Sequence, residues 1–399
     1  MVDVMIIILS GQTDPNLLPV FDEKYKPSEL VIVATKLAKI SAFRSALAQH
    51  VKVSDSSIIN IEDPYSIAET SLKITHKLKD LIQAGKSVLI NITGGTKLMS
   101  IGAYEAWKKN ASDTVRAIYV DISSYHILEF TGIDSKGLPV TEIKENECNL
   151  DLKTYFAARD IKFIKADKYR NQILEKLSKS YICKVLQLHE AQRNFVNYVN
   201  QLVSRSTSKP GKHAIPTILQ KSQAEGIDEL LHDFIEKNLI KLDCKPGTNT
   251  GTIAISMTSN NVDIMDVIGG KWFEDYCYNT VKKIIPVSTC EENSKIIHKN
   301  GVKNEFDVMF FYKCTLYVIE AKTNSWDKKN TTQNILHKLS SLGKDIGGKT
   351  KLGIVSYYDF PDFIQKRAKD LNIQIISGAN VWNENNFIQE LKNWIGIKD

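Results

Sequence analysis

The chain has 399 residues, 43% of them hydrophobic and 25% charged, with a net charge of +6 at neutral pH. This is ordinary globular composition, too long for one typical core, so two or three domains are expected, and the mild basicity is compatible with a polyanionic partner. No stretch approaches the roughly 18 uninterrupted apolar residues of a membrane span, and Cys148, Cys183, Cys244, Cys277, Cys290 and Cys314 make no CxxC pair and no zinc-spaced cluster. The N-terminus MVDVMIIILSGQTD has no basic n-region and no small-residue cleavage site. The expectation is a cytoplasmic protein with reduced cysteines and no membrane partner.

The first roughly 130 residues alternate short apolar runs with helical patterns. Val4–Ser10, Leu30–Thr35, Ser57–Ile61, Ser87–Thr93, Arg116–Ile122 and Tyr125–Phe130 read as strands, and Lys36–His50 and Ser66–Ala84 as helices, with another starting after Thr93. Near-continuous apolar strands separated by helices predict a Rossmann-like domain with a parallel sheet covered on both faces. Ligands bind such sheets beyond the carboxyl ends of the strands, which here read SGQTDPN (10–16), ATK (34–36) and NITGGTK (91–97). Gly94 and Gly95 let backbone approach a ligand, Thr96 caps the next helix, and its N-terminus with Lys97 suits an anion. The nicotinamide pattern GxGxxG and the P-loop are missing, which disfavours a dehydrogenase or NTPase.

From about Leu150 to Val267 long polar helices dominate, as over Tyr169–Val203, interrupted by the loop Ser204–His213. A helix near Ile227–Asn238 leads into a hairpin around Pro246–Gly251. Helix followed by hairpin fits a connector that props up the next domain, or the wing of a winged helix. From Gly269 a third unit follows: helix KWFEDYCYNTVKKI, then VSTCEENSKIIHKNG, a helix over Thr331–Leu342, and strands at Lys351–Tyr358 and Ile373–Ser377. They make a small mixed α/β sheet.

Within it, NEFDVMFFYKCTLYVIEAKT (304–323) sets charges inside two β-rich runs. Residues two apart share a strand face, so Glu320 and Lys322 point the same way. A turn around Lys313 places Asp307 on the neighbouring strand. Two close carboxylates repel unless a cation intervenes. Hard Mg²⁺ prefers few carboxylates, with water and substrate phosphate completing its shell. Lys322 is suited to orienting a water or stabilising charge on phosphate. The set fits metal-assisted phosphodiester hydrolysis. Seven lysines (322, 328, 329, 338, 344, 349 and 351) against Asp327 and Asp345 add a local positive excess for a nucleic-acid substrate.

NEFDV followed by VIEAK resembles the PD-(D/E)XK nuclease superfamily, with Asp307 at the first metal-binding acid and Glu320-x-Lys322 at its E-x-K pair; Phe306 stands where the superfamily name has proline. GGKWFEDYCY resembles the helix preceding that motif, which implies Glu274 as a further ligand beside Asp307 and Glu320 for Mg²⁺ or Mn²⁺. The helix TTQNILHKLSSL follows as the superfamily topology requires, and it implies that Gln333 and Lys338 reach substrate phosphates. The N-terminal domain with its SGQ and NITGGTK loops resembles the CARF domain. Together the two ends resemble the cyclic-oligoadenylate-activated nucleases that accompany type III CRISPR systems. The resemblance implies a CARF domain over 1–149, a helical connector with a β-hairpin over 150–267, winged-helix-like or plain, and a restriction-endonuclease-like domain over 268–399. It also implies a homodimer binding a cyclic oligoadenylate, usually the tetra-adenylate, through Ser10, Gly11, Gln12, Thr35, Thr93, Gly94, Gly95, Thr96 and Lys97. DNA and RNA both remain open as substrate. The competing readings are a ligand-responsive nucleic-acid-binding regulator that does not cut, and a restriction or repair nuclease sensing another nucleotide.

Overall fold

A computed structural model of the chain describes residues 2–397 apart from 10, 12, 37–39, 122, 124–125, 146–147, 149, 166–171, 207–213, 260, 326–328 and 347–349, and describes 145, 287 and 329–333 by backbone alone. The apolar runs of the N-terminal third make strands β1 (Val2–Leu9), β2 (Pro27–Ala34), β3 (Ile58–Asn60), β4 (Val88–Asn91), β5 (Val115–Asp121), β6 (His126–Ile133) and β7 (Pro139–Glu145), in the order β3-β2-β1-β4-β5-β6-β7. The first five run parallel, and β6 and β7 extend the sheet antiparallel. Connecting helices are α1 (Asp14–Leu17), α2 (Ile40–Leu47), α3 (Ile67–Gln83) and α4 (Lys97–Asn110). Alternate residues of β1 enter different cores, as strand geometry demands. Met5, Ile7 and Leu9 pack with Phe43 and Leu47 of α2, whereas Val4, Ile6 and Ile8 pack with Ile74 and Leu78 of α3 and Met99 and Trp107 of α4. The chain order reverses between β1 and β4, and the loops after those two strands meet at that switch point.

The middle of the chain departs from a plain connector. Helix α5 (Leu152–Ala157) is capped by Asp151 and leads to β8 (Lys162–Ile164). Helices α6 (Gln172–Leu186) and α7 (Asn194–Arg205) replace the single long helix expected over Tyr169–Val203, broken by a short 3-10 turn at Glu190–Gln192. Next come β9 (Thr217–Gln220), α8 (Lys221–Glu236), β10 (Lys241–Pro246) and β11 (Thr252–Thr258). The expected hairpin is β10–β11, and β9 adds to it, giving a three-stranded antiparallel sheet ordered β10-β11-β9.

The C-terminal part contains α9 (Val262–Asp266), α10 (Trp272–Val281), β12 (Cys290–Ile297), β13 (Lys303–Tyr312), β14 (Thr315–Lys322), α11 (Lys329–Ile346), β15 (Thr350–Ser356), α12 (Asp362–Asp370), β16 (Ile373–Ser377), α13 (Ala379–Trp382) and α14 (Glu384–Ile395). Its sheet is ordered β16-β15-β14-β13-β12-β8, so the strand just after α5 is its edge. Helices α6 to α8 share one apolar core with α10 and the sheet, including Tyr181, Phe234, Trp272, Phe273 and Tyr357. On the other face Phe306, Met309 and Phe311 join the core of β1 and β2 through Tyr155 and Phe156 of α5. The Tyr155 ring lies 5.4 Å from that of Phe311. Arg159 stacks 3.5 Å over Tyr155 and pairs with buried Asp14, just past the loop that leaves β1.

Candidate active site

Strands β13 and β14 form a hairpin whose turn residues Lys313 and Cys314 both have positive φ, 42° and 60°, the backbone a two-residue hairpin needs. The ladder runs from Tyr312 opposite Thr315 to Val308 opposite Ile319. Beyond that, β14 continues along β15 as far as Lys322 opposite Ser356. Where the β13–β14 ladder ends, a side chain takes over: Asp307 Oδ2 accepts the Ala321 N–H at 2.7 Å. That bond brings Asp307 beside the E-x-K pair. Lys322 Nζ lies 2.8 Å from Glu320 Oε1 and 3.5 Å from Asp307 Oδ2, and donates to the Ala321 carbonyl at 3.1 Å. All three side chains are largely buried, with exposures of 15% for Asp307, 16% for Glu320 and 24% for Lys322.

Burial and crowding shape the charges. Burial, then the Glu320 carboxylate, push Asp307 up to about 6. Burial, then Asp307, push Glu274 on α10 up to about 8, so Glu274 lies within electrostatic reach of the strand pair. Burial opposes the charge on Lys322, but Asp307, Glu320 and Glu274 outweigh it and hold its pKa above the usual value. The nearby ammoniums, Lys322 at the strand pair and Lys271 near Glu274, therefore under-compensate the carboxylates. Among the described residues no three His, Cys, Asp or Glu side chains are gathered as a ready-made metal cluster. The donor chemistry nevertheless fits a hard divalent cation: buried, oxygen-only, and short of positive charge.

A pH-dependent stability follows. Asp307 and Glu274 keep protons in the folded state that the unfolded chain releases near the ordinary carboxyl range, about 4. Between there and about 6 to 8 the native state binds more protons, so stability falls as pH rises. The melting temperature of chelator-treated protein should drop from pH 5 to pH 8, and Mn²⁺ should restore it at pH 8 with little effect at pH 5. A profile that is flat and indifferent to Mn²⁺ would count against the carboxylate cluster.

Two further expected site residues lie on α11. Lys338 is exposed on α11, whose buried face carries Leu336 and Leu339. Gln333 lies on the same helix, but its side chain is outside the described residues.

At the N-terminal switch point, the glycines are tightly seated. A side chain on Gly94 would strike the Ile8 carbonyl oxygen at 1.9 Å, and Gly95 has φ +81°. Thr96 caps α4, accepting the Met99 N–H at 3.1 Å and donating to the Pro64 carbonyl at 2.6 Å. The Thr93 hydroxyl donates to Asn91 Oδ1 and accepts the Val120 N–H, each at 2.7 Å, so it shapes the loop from within. Lys97 and Gly11 are exposed and Thr35 is half-buried at the end of β2. Ser10 and Gln12 lie outside the described residues. Sequence reasoning passed over Asn16 and Asn91. Buried Asn16 donates to the Ile8 carbonyl at 2.7 Å, and Asn91 donates to the Pro15 carbonyl at 2.6 Å, tying the two loops together. For Asn91 the signal was an amide closing an otherwise apolar strand, whereas Asn16, in the short helix α1, carried none.

Comparisons with known proteins bear on the family and the fold. Residues 4–135 match the family model of the Card1 CARF domain, and residues 263–395 that of the Card1-like endonuclease domain. Among solved structures, the chain is similar to Can2 from Sulfobacillus thermosulfidooxidans, solved with cyclic tetra-adenylate, at 22% identity and a TM-score of 0.68, covering 98% of this chain and 97% of that one. It is similar to protein VC1899 from Vibrio cholerae at 18% identity and a TM-score of 0.72, covering 99% and 98%. A type III CRISPR defence DNA nuclease activated by cyclic oligoadenylate matches at 14% identity and a TM-score of 0.52, over 92% of this chain and 52% of that one. At these identities the structural likeness speaks for the fold. No curated protein matches the sequence.

Proposed function

Because the chain belongs with the CARF-domain nucleases, a Card1 CARF domain preceding a Card1-like endonuclease domain, we propose that it is a metal-dependent endonuclease switched on by a cyclic oligoadenylate, the tetra-adenylate in the first instance, in cytoplasmic type III CRISPR defence. The observation that carries this reading is the Asp307, Glu320 and Lys322 set at the point where β14 leaves β13. The endonuclease-domain match sets aside a regulator that binds without cutting.

Asp307 and Glu320, with Glu274 alongside, are the side chains that would hold Mg²⁺ or Mn²⁺. When bound, such an ion supplies charge neutralisation at the scissile phosphate and an acidified water. Lys322, its positive charge secured by three carboxylates, stabilises negative charge developing on the phosphate or orients the attacking water. The domain boundaries are placed near residues 149 and 267; the two family matches span 4–135 and 263–395, and the shared cores cross both boundaries.

The ring would sit at the β1 and β4 loops. Free N–H groups in the first turn of α4 and the ammonium of Lys97 offer it anion-binding donors. Tyr65 before α3, Leu72 of α3 and Ile101 of α4 are apolar and exposed, 71%, 57% and 44% accessible, on the surface of the helix pair α3 and α4. We assign this surface to a two-fold homodimer contact, which matches a two-fold ring. Activation requires the ring to bind the cutting arrangement more tightly than the resting one. The Asp14–Arg159–Tyr155–Phe311 contacts connect its loop to the strand that carries Asp307.

The test is nicking of supercoiled plasmid and cleavage of single-stranded RNA with Mn²⁺, with and without cyclic tetra-adenylate. Cutting of at least one substrate should rise about tenfold or more with the ring and vanish with chelator. Equal rates with and without the ring would remove the allosteric half of the proposal.

A further inference from the structure

The catalytic strand ends in a place that its own sheet does not fully hold. Past Ile319, β14 has lost its backbone pairing with β13. Its last residues are held on one side by β15, where the Tyr357 N–H donates to the Lys322 carbonyl at 2.9 Å. On the other side they depend on two side chains. One is Asp307 on the Ala321 N–H. The second comes from the middle of the chain: Asn200 Nδ2 on α7 donates to the Thr323 carbonyl at 3.0 Å and to Thr323 Oγ1 at 3.2 Å. Asn200 is 9% exposed and Thr323 6%, so neither bond is easily replaced by water.

Helix α7 is fixed along its length to the catalytic half. At its start the Tyr358 hydroxyl accepts the Asn197 N–H at 3.0 Å and donates to the Arg193 carbonyl at 2.9 Å. Near its end Val203 lies against Gly269, in the turn that precedes α10 and Glu274; a side chain there would come within 2.9 Å of Val203. One helix thus abuts both segments that carry the catalytic groups, the end of β14 and the start of α10.

Resting on the nuclease reading above, we propose that Asn200 is a positioning residue for phosphodiester cleavage. Its amide pins Thr323, the residue after Lys322, and so sets the direction in which the lysine leaves the strand toward Asp307 and Glu320. Misplacement of a reacting group by about 1 Å costs on the order of 10²-fold in rate.

The experiment measures ring-stimulated cleavage kinetics for the wild type, Asn200→Ala, Thr323→Val and the double variant, with melting temperature and ring affinity for each. In N200A, kcat should fall roughly 10- to 100-fold, with KM for the nucleic acid within about twofold and ring affinity unchanged. T323V removes one acceptor, Thr323 Oγ1, and leaves the Thr323 carbonyl and Asn324 Oδ1 at 3.5 Å, so it should lose less. The double variant should be no slower than N200A, because the contact that T323V removes is already gone in N200A. Should N200A fold poorly, T323V and the coupling measured from it at lower temperature still decide the matter. Wild-type kcat in N200A, a loss confined to KM, or effects that simply multiply in the double variant would each overturn the assignment. Absence of cleavage by the wild type would instead overturn the nuclease reading beneath it.

Discussion

Glu320→Ala and Lys322→Ala should each reduce ring-stimulated cleavage by about 10³-fold or to background while leaving ring affinity as in the wild type. The reason is the mutual dependence of the three groups. Lys322 stands 2.8 Å from Glu320 and 3.5 Å from Asp307, so removing the lysine leaves buried carboxylates without their protein cation. Removing Glu320 takes away one of the two strand carboxylates that a metal would need. Lys322→Arg should not rescue, because a planar fork does not reproduce a compact ammonium at this spacing. Asp307→Asn makes the sharper control: the amide oxygen still accepts the Ala321 N–H, so the strand stays in place while the charge is gone. Single-turnover cleavage and ring titration calorimetry are the measurements. An E320A protein that cuts at even a tenth of the wild-type rate would remove these strands from the chemistry.

Gly94→Ala should cost the protein its ligand loop. The new methyl would lie 1.9 Å from the Ile8 carbonyl oxygen and 2.8 Å from the Asn16 amide. A backbone oxygen inside a paired strand has nowhere to go, so β4's loop must move away from β1. Overpacking of this kind costs about 3 kcal/mol, roughly a 10 °C lower melting midpoint for a domain of this size. The displaced loop also carries Thr96 and Lys97, so ring affinity should fall at least about tenfold. Gly95→Ala meets Ile8 Cγ2 at 2.5 Å and must hold φ +81°, which an alanine rarely adopts. Thermal unfolding and calorimetry decide. A Gly94→Ala protein with wild-type melting and binding would show that the loop is not seated against β1.

The parts legible in the sequence were those whose signal is local. Apolar runs such as VMIIILS can only be strands buried on both faces, and the parallel sheet followed from them. Asp307, Glu320 and Lys322 stood out because charges inside β-rich runs need a reason, and the hairpin does bring them together. What escaped was set by distant partners. β8 is three residues long and becomes a strand only by pairing with β12, far along the chain. The four-residue β9 likewise exists because β11 lies beside it. Nothing in Tyr169–Val203 announced the break before Asn194, which lets α7 turn onto the catalytic strand. The internal bonds of the Thr93 and Thr96 hydroxyls, which help to shape the expected ligand loop, were likewise set by partners that the sequence does not place beside them. Lys338 is exposed on α11, and helical spacing alone does not say which way its ammonium reaches.

The pairing of β8 with β12 bears on how far the catalytic half can stand alone. A fragment beginning at the endonuclease homology would bare the peptide groups of Lys295–Ile297, an open edge of the kind that recruits stray chains into aggregates. It would also lose the apolar surface lent by α6 to α8. The cutting module is therefore stitched into the middle segment of the chain, and releasing it by truncation yields a sticky remnant in place of an unleashed enzyme.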